Sequence, residues 1–191
     1  MKKVFFITFF IFFSFKVFSL EVTLTQGSVK PTPIAVTELY SKNSQLTKVG
    51  KNISTVISDN LERSGLFLPI DKRSFIQDNE SLSNKPRFED WKLIKAQHLV
   101  SGKISANNGK ISVEFRLFDV FQQKQIVGKK YETNEKNWRR VAHIISDSIF
   151  KNITGEGGYF DTRIVYVAET GPKENKQKRL AIMDQDQSNH R

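Results

Sequence analysis

Residues 99–120 constrain this chain more than any other stretch. Leu99 to Ile104 leads to the turn Asn107-Asn108-Gly109-Lys110, and then Ile111, Val113, Phe115 and Leu117 alternate with Ser112, Glu114, Arg116 and Phe118. The AsnGly step supplies positive φ at little cost, as a tight hairpin turn requires. Alternation with period two sends Ile111 to Leu117 to one face of a strand and the intervening residues to the other, so one face of the arm is buried. Gln122-Gln123-Lys124 turns the chain again, into a strand over Gln125 to Thr133. A meander with one apolar face needs a cover.

The cover is written on either side of it. Val49, Ile53, Val56, Ile57, Asn60 and Leu61 recur at three- and four-residue spacing, which predicts an amphipathic helix ended by Gly65. Trp138, Val141, Ala142, Ile145, Ile149 and Ile153 predict a closing helix over Asn137 to Thr154. A short strand around Ile34, Val36 and Leu39 precedes the first helix. Leu66 to Ile70 forms a second, and Pro69 confines it to an edge or a strand end. The polar stretch Ser74 to Pro86 reads as loop, and Phe88, Trp91 and Ile94 stripe a short helix after it. The order βαβαβββα describes an α+β fold, an α/β sandwich with helices on a mixed sheet.

Both ends depart from this pattern. Residues 1–19 carry Lys2 and Lys3, then an apolar run from Val4 to Phe15, then small Ser19. The run falls short of the roughly 20 residues a membrane-spanning helix needs. It predicts a signal peptide cleaved after Ser19 and no stable membrane insertion. An uncleaved anchor is the competing reading, since Lys16 and Leu20 flank the cut. The chain has no cysteine, so disulfides and an acylated cysteine are both excluded. Three of the 30 basic side chains lie in residues 1–19, leaving 27 against 20 acidic. They are scattered, without the dense basic run or aromatic interleaving of a nucleic-acid binder, so no nucleic-acid partner is expected. At the other end, Gly155 to Gly158 is followed by new strands at Arg163 to Ala168 and Leu180 to Met183. A lone hairpin is marginally stable and leaves open edges.

Catalytic signals are sparse. His98, His143 and His190 are far apart in sequence and none belongs to a metal-binding motif, so no metal site and no cofactor are expected. His143 and Asp147 stand four apart on the closing helix, a base–orienter spacing without GxSxG or a cysteine nucleophile. A surface hydrogen bond explains that pair more simply. Asp119 and Glu114 read as turn and solvent-facing residues. Asp184 to Asn189 has aspartates at alternate positions but lacks the glycine and the downstream glutamate of a calcium loop, and reads as a turn.

Asn60 to Phe67 (NLERSGLF), Phe88 to Lys92 (FEDWK), Leu99 to Ile104 (LVSGKI), Val113 to Val120 (VEFRLFDV) and Arg139 to Val167 resemble, in order and spacing, the TolB family. The resemblance runs from about Glu21 to Arg191. It implies a non-catalytic periplasmic adaptor of the Tol–Pal system, acting in outer-membrane invagination during cell division and in envelope integrity. It also implies an N-terminal α/β domain followed by a β-propeller, of which the terminal strands would be an incomplete first blade. The resulting division is residues 1–19 signal peptide, 20–30 partner-binding segment, 31–160 α/β domain and 161–191 propeller start.

By the same resemblance Glu21, Val22, Thr23, Leu24, Thr25 and Gln26 would bind the C-terminal domain of TolA. The lipoprotein Pal would be bound only if a propeller were present. Alternating polar and apolar residues suit strand addition to a partner's sheet edge. An ordinary first strand or a disordered terminus fits them equally. Gln187 departs from the family, which has glycine in that AspXaaAspGly turn. Competing readings are a hydrolase acting on envelope polymers through His143 and Asp147, and a truncated or split gene product without function. N-terminal sequencing of exported material should begin at Leu20 or Glu21. Intact Met1 on a membrane-bound form would remove the signal-peptide reading.

Overall fold

The computed structural model describes residues 30–191. Its elements are β1 (Thr32–Val36), α1 (Ser44–Arg63), β2 (Phe67–Pro69), α2 (Asn79–Asn84), α3 (Phe88–Leu93), β3 (His98–Asn107), β4 (Lys110–Asp119), β5 (Lys124–Thr133), α4 (Trp138–Thr154), β6 (Arg163–Thr170) and β7 (Gln177–Asp184). A five-stranded sheet has the order β2-β1-β3-β4-β5, and β6 and β7 form a separate two-stranded sheet. β1 runs parallel to β2 and β3, while β3, β4 and β5 are antiparallel. The mixed α+β sheet expected from the pattern is present, with Pro69 on its edge strand.

The β3–β4 hairpin pairs His98 with Asp119 through to Asn107 with Lys110. Its turn puts Asn108 at φ 47° and Gly109 at φ 75°, the left-handed pair that the AsnGly step anticipates. Alternation sorts the strands between two apolar clusters. Ile34, Val36, Val100, Val113, Phe115 and Leu117 meet α1 and α4 through Ile53, Ile57, Leu61, Ile145 and Ile149. Ala35, Leu99, Phe118 and Val120 face the other way, against Leu82 and Trp91 of α2 and α3.

The second cluster corrects two expectations. Phe118 falls among the outward residues of β4, yet it is buried and meets Phe88 edge-on at 5.9 Å. Residues 74–86 are not simply loop. Asp71 caps a short 3-10 turn at Lys72–Ser74, and Asp78 caps α2 by accepting from the Ser81 N–H at 2.9 Å. Six residues are too few to show a helical period, but buried Leu82 is what fixes α2 to the sheet. Buried Gln77 ties these turns to α3, its Oε1 accepting from the Arg87 N–H and from Trp91 Nε1.

The terminal hairpin has no sheet partner beyond itself, and Val165, Val167 and Leu180 are exposed. Its base is nonetheless tied to the domain. Phe160, just before it, is fully buried in the main core against Phe150. Asp147 of α4 grips the approach, accepting from the Phe160 N–H at 2.7 Å and the Asp161 N–H at 3.1 Å.

A methyl group at Gly102 would collide with the Glu114 carbonyl oxygen across the hairpin and with Leu39 Cδ2. Gly102→Ala should therefore destabilise the protein by about 2 kcal/mol or more through overpacking. Chemical denaturation checks this, and an unchanged midpoint would mean that the sheet absorbs the methyl group.

Candidate functional site

Asn60 occupies a core position on the apolar stripe of α1 and is fully buried. A polar side chain there needs partners on every side, and it finds them on three segments. Asn60 Nδ2 lies 3.0 Å from His143 Nδ1 and donates to Ser146 Oγ at 2.9 Å, both on α4. Asn60 Oδ1 accepts from Arg63 Nη2 and, at 3.1 Å, from Gln185 Nε2 in the turn after β7. The Ser146 hydroxyl in turn donates to the Ala142 carbonyl at 2.9 Å.

Two N–H donors on Oδ1 fix which way the Asn60 amide faces. Its NH₂ end points at His143 Nδ1, which must accept. Neutral His143 therefore carries its proton on Nε2. That nitrogen is 3.5 Å from Asp186 Oδ2, and Arg139 Nε stands 3.2 Å from the same oxygen. Neither contact has hydrogen-bond alignment; Arg139 meets Asp186 as a charge contact, and neutral His143 turns its Nε2 side to the same carboxylate. The His143 side chain is 2% exposed and that of Asp186 5%. Burial pushes the His143 pKa below the ordinary histidine value and Arg139 adds to this, while Asp186, Asp184 and Asp161 pull the other way.

One ligand atom from each of His143, Asp184 and Asp186 comes within 4.8 Å of the others. One nitrogen and two carboxylates could suit a divalent transition ion. The hydrogen-bond directions do not. The Nε2 lone pair is taken by the proton that Asn60 forces there, and Arg139 already stands against Asp186. Asp184 is engaged as well, accepting from Asn189 Nδ2 and facing Arg163 at 3.8 Å. The trio reads as a polar joint between helix and turn.

The turn itself is well made. The Asp184 N–H donates to the Ser188 carbonyl at 2.9 Å and the Gln187 N–H to the Asp184 carbonyl at 3.0 Å. Asp186 Oδ1 accepts from the Ser188 N–H at 3.1 Å. Gln187 has φ 65°, the left-handed conformation that glycine adopts freely, so its side chain sits where the backbone is strained. Gln185 also donates its N–H to the Thr162 carbonyl at 3.3 Å, closing the hairpin's open end.

The other sequence candidates separate. Asp147 serves the backbone at Phe160 and Asp161, and no hydrogen bond joins it to His143. His98 lies at the start of β3, where burial pushes its pKa down and Asp119 partly offsets the shift. Exposed His190 meets the Tyr166 hydroxyl at 2.9 Å. Asp119 accepts from the Gln122 N–H at 2.7 Å as a turn residue, and Glu114 pairs with Arg116 at 3.0 Å on the surface. A cavity of about 630 Å³ lies elsewhere, between Tyr40, Glu80, Lys103 and Lys130. It holds a Tyr40–Glu80 hydrogen bond of 2.9 Å and no paired base and nucleophile. Glu21, Val22, Thr23, Leu24, Thr25 and Gln26, like residues 1–19, lie outside the described residues.

Residues 20–126 match the family of the TolB amino-terminal domain. The chain belongs to the TolB family. It is 50% identical over 173 residues to the Tol-Pal system protein TolB of Paramagnetospirillum magneticum, covering 90% of this chain and 39% of that protein. It is 47% identical to the Tol-Pal system protein TolB of Pelagibacter ubique, covering 95% and 43% respectively. The crystal structure of TolB from Acinetobacter baumannii superposes with a TM-score of 0.71 at 23% identity, over 84% of this chain and 38% of that one, and so shares the fold. The chain thus spans about two fifths of the length of the TolB proteins it matches.

Gln187→Gly should relieve the left-handed strain and tighten the turn by up to about 1 kcal/mol. Amide exchange at Asp184 and Gln187 would then slow while residues 111–117 stay unchanged. Faster exchange in the turn would show that the Gln187 side chain, not its backbone, decides the fit.

Proposed function

We propose that this chain is a non-catalytic adaptor of the Tol–Pal system, working in the periplasm through protein–protein contacts. The observation that carries the reading is its 50% identity, over 90% of its length, to a protein named for that system. The site chemistry agrees with it. A general base must reach substrate with a free lone pair. His143 instead turns Nδ1 to Asn60 and buries Nε2, while Asp147 holds backbone amides. The hydrolase alternative therefore lacks the pair on which it depends. Among the described residues no helix is long and apolar enough to cross a membrane.

Within this reading, Glu21 to Gln26 bind the C-terminal domain of TolA by adding a strand, with Val22 and Leu24 entering shallow pockets. Pal contact requires propeller surface. The adaptor supports outer-membrane invagination during division and envelope integrity. Residues 20–30 act as a tether, 31–160 as the domain and 161–191 as the start of a propeller. Burying Val22 and Leu24 would contribute roughly 3 kcal/mol before ordering costs, consistent with micromolar or weaker affinity.

Deleting Leu20 to Gln26 should abolish binding to the C-terminal domain of TolA and leave the thermal midpoint nearly unchanged. Isothermal titration of the intact and deleted chains decides it. TolA binding that survives the deletion, or Pal binding by the intact chain, would overturn these roles.

A further inference from the structure

Four segments converge on the His143 ring. From α1 come Asn60 and, behind it, Arg63; from α4, Arg139 and Ser146; from the approach to β6, Asp161; from the turn after β7, Asp184, Gln185 and Asp186. We propose that this cluster is a proton-sensitive latch: neutral His143 holds the Asp184–Asn189 turn on the α1–α4 face, and protonation of its ring frees the turn and with it the β6–β7 hairpin.

The hold is polar. Gln185 bonds Asn60, Asp186 faces Arg139 and His143, and much of the hairpin's apolar surface, including Val165, Val167 and Leu180, faces solvent. Such a contact depends on matched donors and acceptors, since an unmet buried polar group costs more than a met one contributes.

A second ring proton has one place to go. It must sit on Nδ1, against the Asn60 NH₂, so two donors would face each other. Turning the Asn60 amide over cures that clash and creates another, because its NH₂ would then meet Arg63 Nη2, which can only donate. It would also break the Gln185 Nε2 bond to Oδ1 unless that amide turned over as well. Gln185 is the turn's own grip on α1, so the proton is felt where the hairpin is held.

Charges around the ring pull in both directions. Asp186, Asp184 and Asp161 favour the imidazolium, whereas burial and the Arg139 guanidinium oppose it, and the net direction is downward. Once the turn lifts, His143 meets water and regains its ordinary value near 6.5. The opened state then binds the proton more readily than the latched one. The latch is at full strength above the ordinary histidine pKa and weakens as pH falls through it, levelling off below the latched value.

Native-state hydrogen exchange on the full chain tests this. The amides of Ile182, Asp184 and Gln185, which donate to Arg191, Ser188 and Thr162, report the latch, and residues 111–117 serve as reference. Corrected for intrinsic rates, latch protection should fall between about pH 7.5 and about pH 5.5, by at most about tenfold per pH unit for one proton, while the reference stays level. Imidazole ¹⁵N shifts at the higher pH should show the proton on Nε2 of His143.

His143→Gln should flatten the pH response. Asn60→Asp, whose carboxylate can accept from Nδ1–H, should reverse it. Latch protection that is constant or rises in acid, or a proton on Nδ1, would overturn the proposal. The wild-type pH series and tautomer decide the matter even if either variant fails to fold.

Discussion

Leu39 is wedged between two glycines, and the layered structure depends on that contact. Its side chain sits against Gly102 of β3 and its carbonyl against Gly50 of α1, where any Cβ would come within 2.7 Å of the Leu39 atom facing it. The backbone is pinned there too, the Leu39 N–H donating to Ser54 Oγ on α1 at 3.2 Å. One residue beyond, Tyr40 bridges to Lys103 of β3. The link out of β1 thus sets how closely the first helix approaches the sheet. That spacing in turn admits Ile53 and Ile57 between α1 and Phe115, so the main core follows from two missing side chains.

Elements with a long period were readable from the residues alone. Residues 49–61 and 138–153 show helical spacing across several turns, and 111–117 alternate without error. What escaped was short or distant. α2 has six residues and one buried apolar side chain, so only its Asp78 cap announces it. Phe118 breaks the alternation in chemistry but not in geometry, because α3 covers that end of the outer face. The polar joint was half legible. Asn60 stands out on an apolar stripe and demands partners, yet Gln185 lies 125 residues away and no local pattern connects them.

Charge has unequal weight across this molecule. Surface pairs such as Arg73–Asp71 and Lys92–Glu89 lie in water and contribute little. Asp186 is different: its side chain is almost wholly buried, with Arg139 Nε and His143 Nε2 both within 3.5 Å of one of its oxygens. A buried carboxylate is tolerated only where cations and donors compensate it. Beyond the Ser188 N–H of its own turn, the compensating cation is Arg139 on α4, whereas the carboxylate comes from the turn. Separation would leave each side with unmet charge, and this binds the hairpin to the helices more specifically than apolar contact could.

The route by which the hairpin is held also explains why α4 buries so many polar residues. His143, Ser146 and Ser148 are all nearly inaccessible, although a helix packed on a sheet by one stripe would leave its flanks wet. Beside that stripe His143 and Ser146 lie against Asn60 of α1, and His143 also faces the turn, so α4 is enclosed on more than its sheet side. Asp147, the next polar residue, reaches the backbone of Phe160 and Asp161 and fixes where the hairpin begins. Gly158 lies so close to Asp147 that a Cβ there would collide with it, which leaves the approach to β6 one path. The closing helix thus anchors the entry to the hairpin through Asp147 and the exit beside it through His143 and Arg139. One face of a single helix therefore holds the open end of the second sheet, where Arg163 pairs with Asp184, against the first.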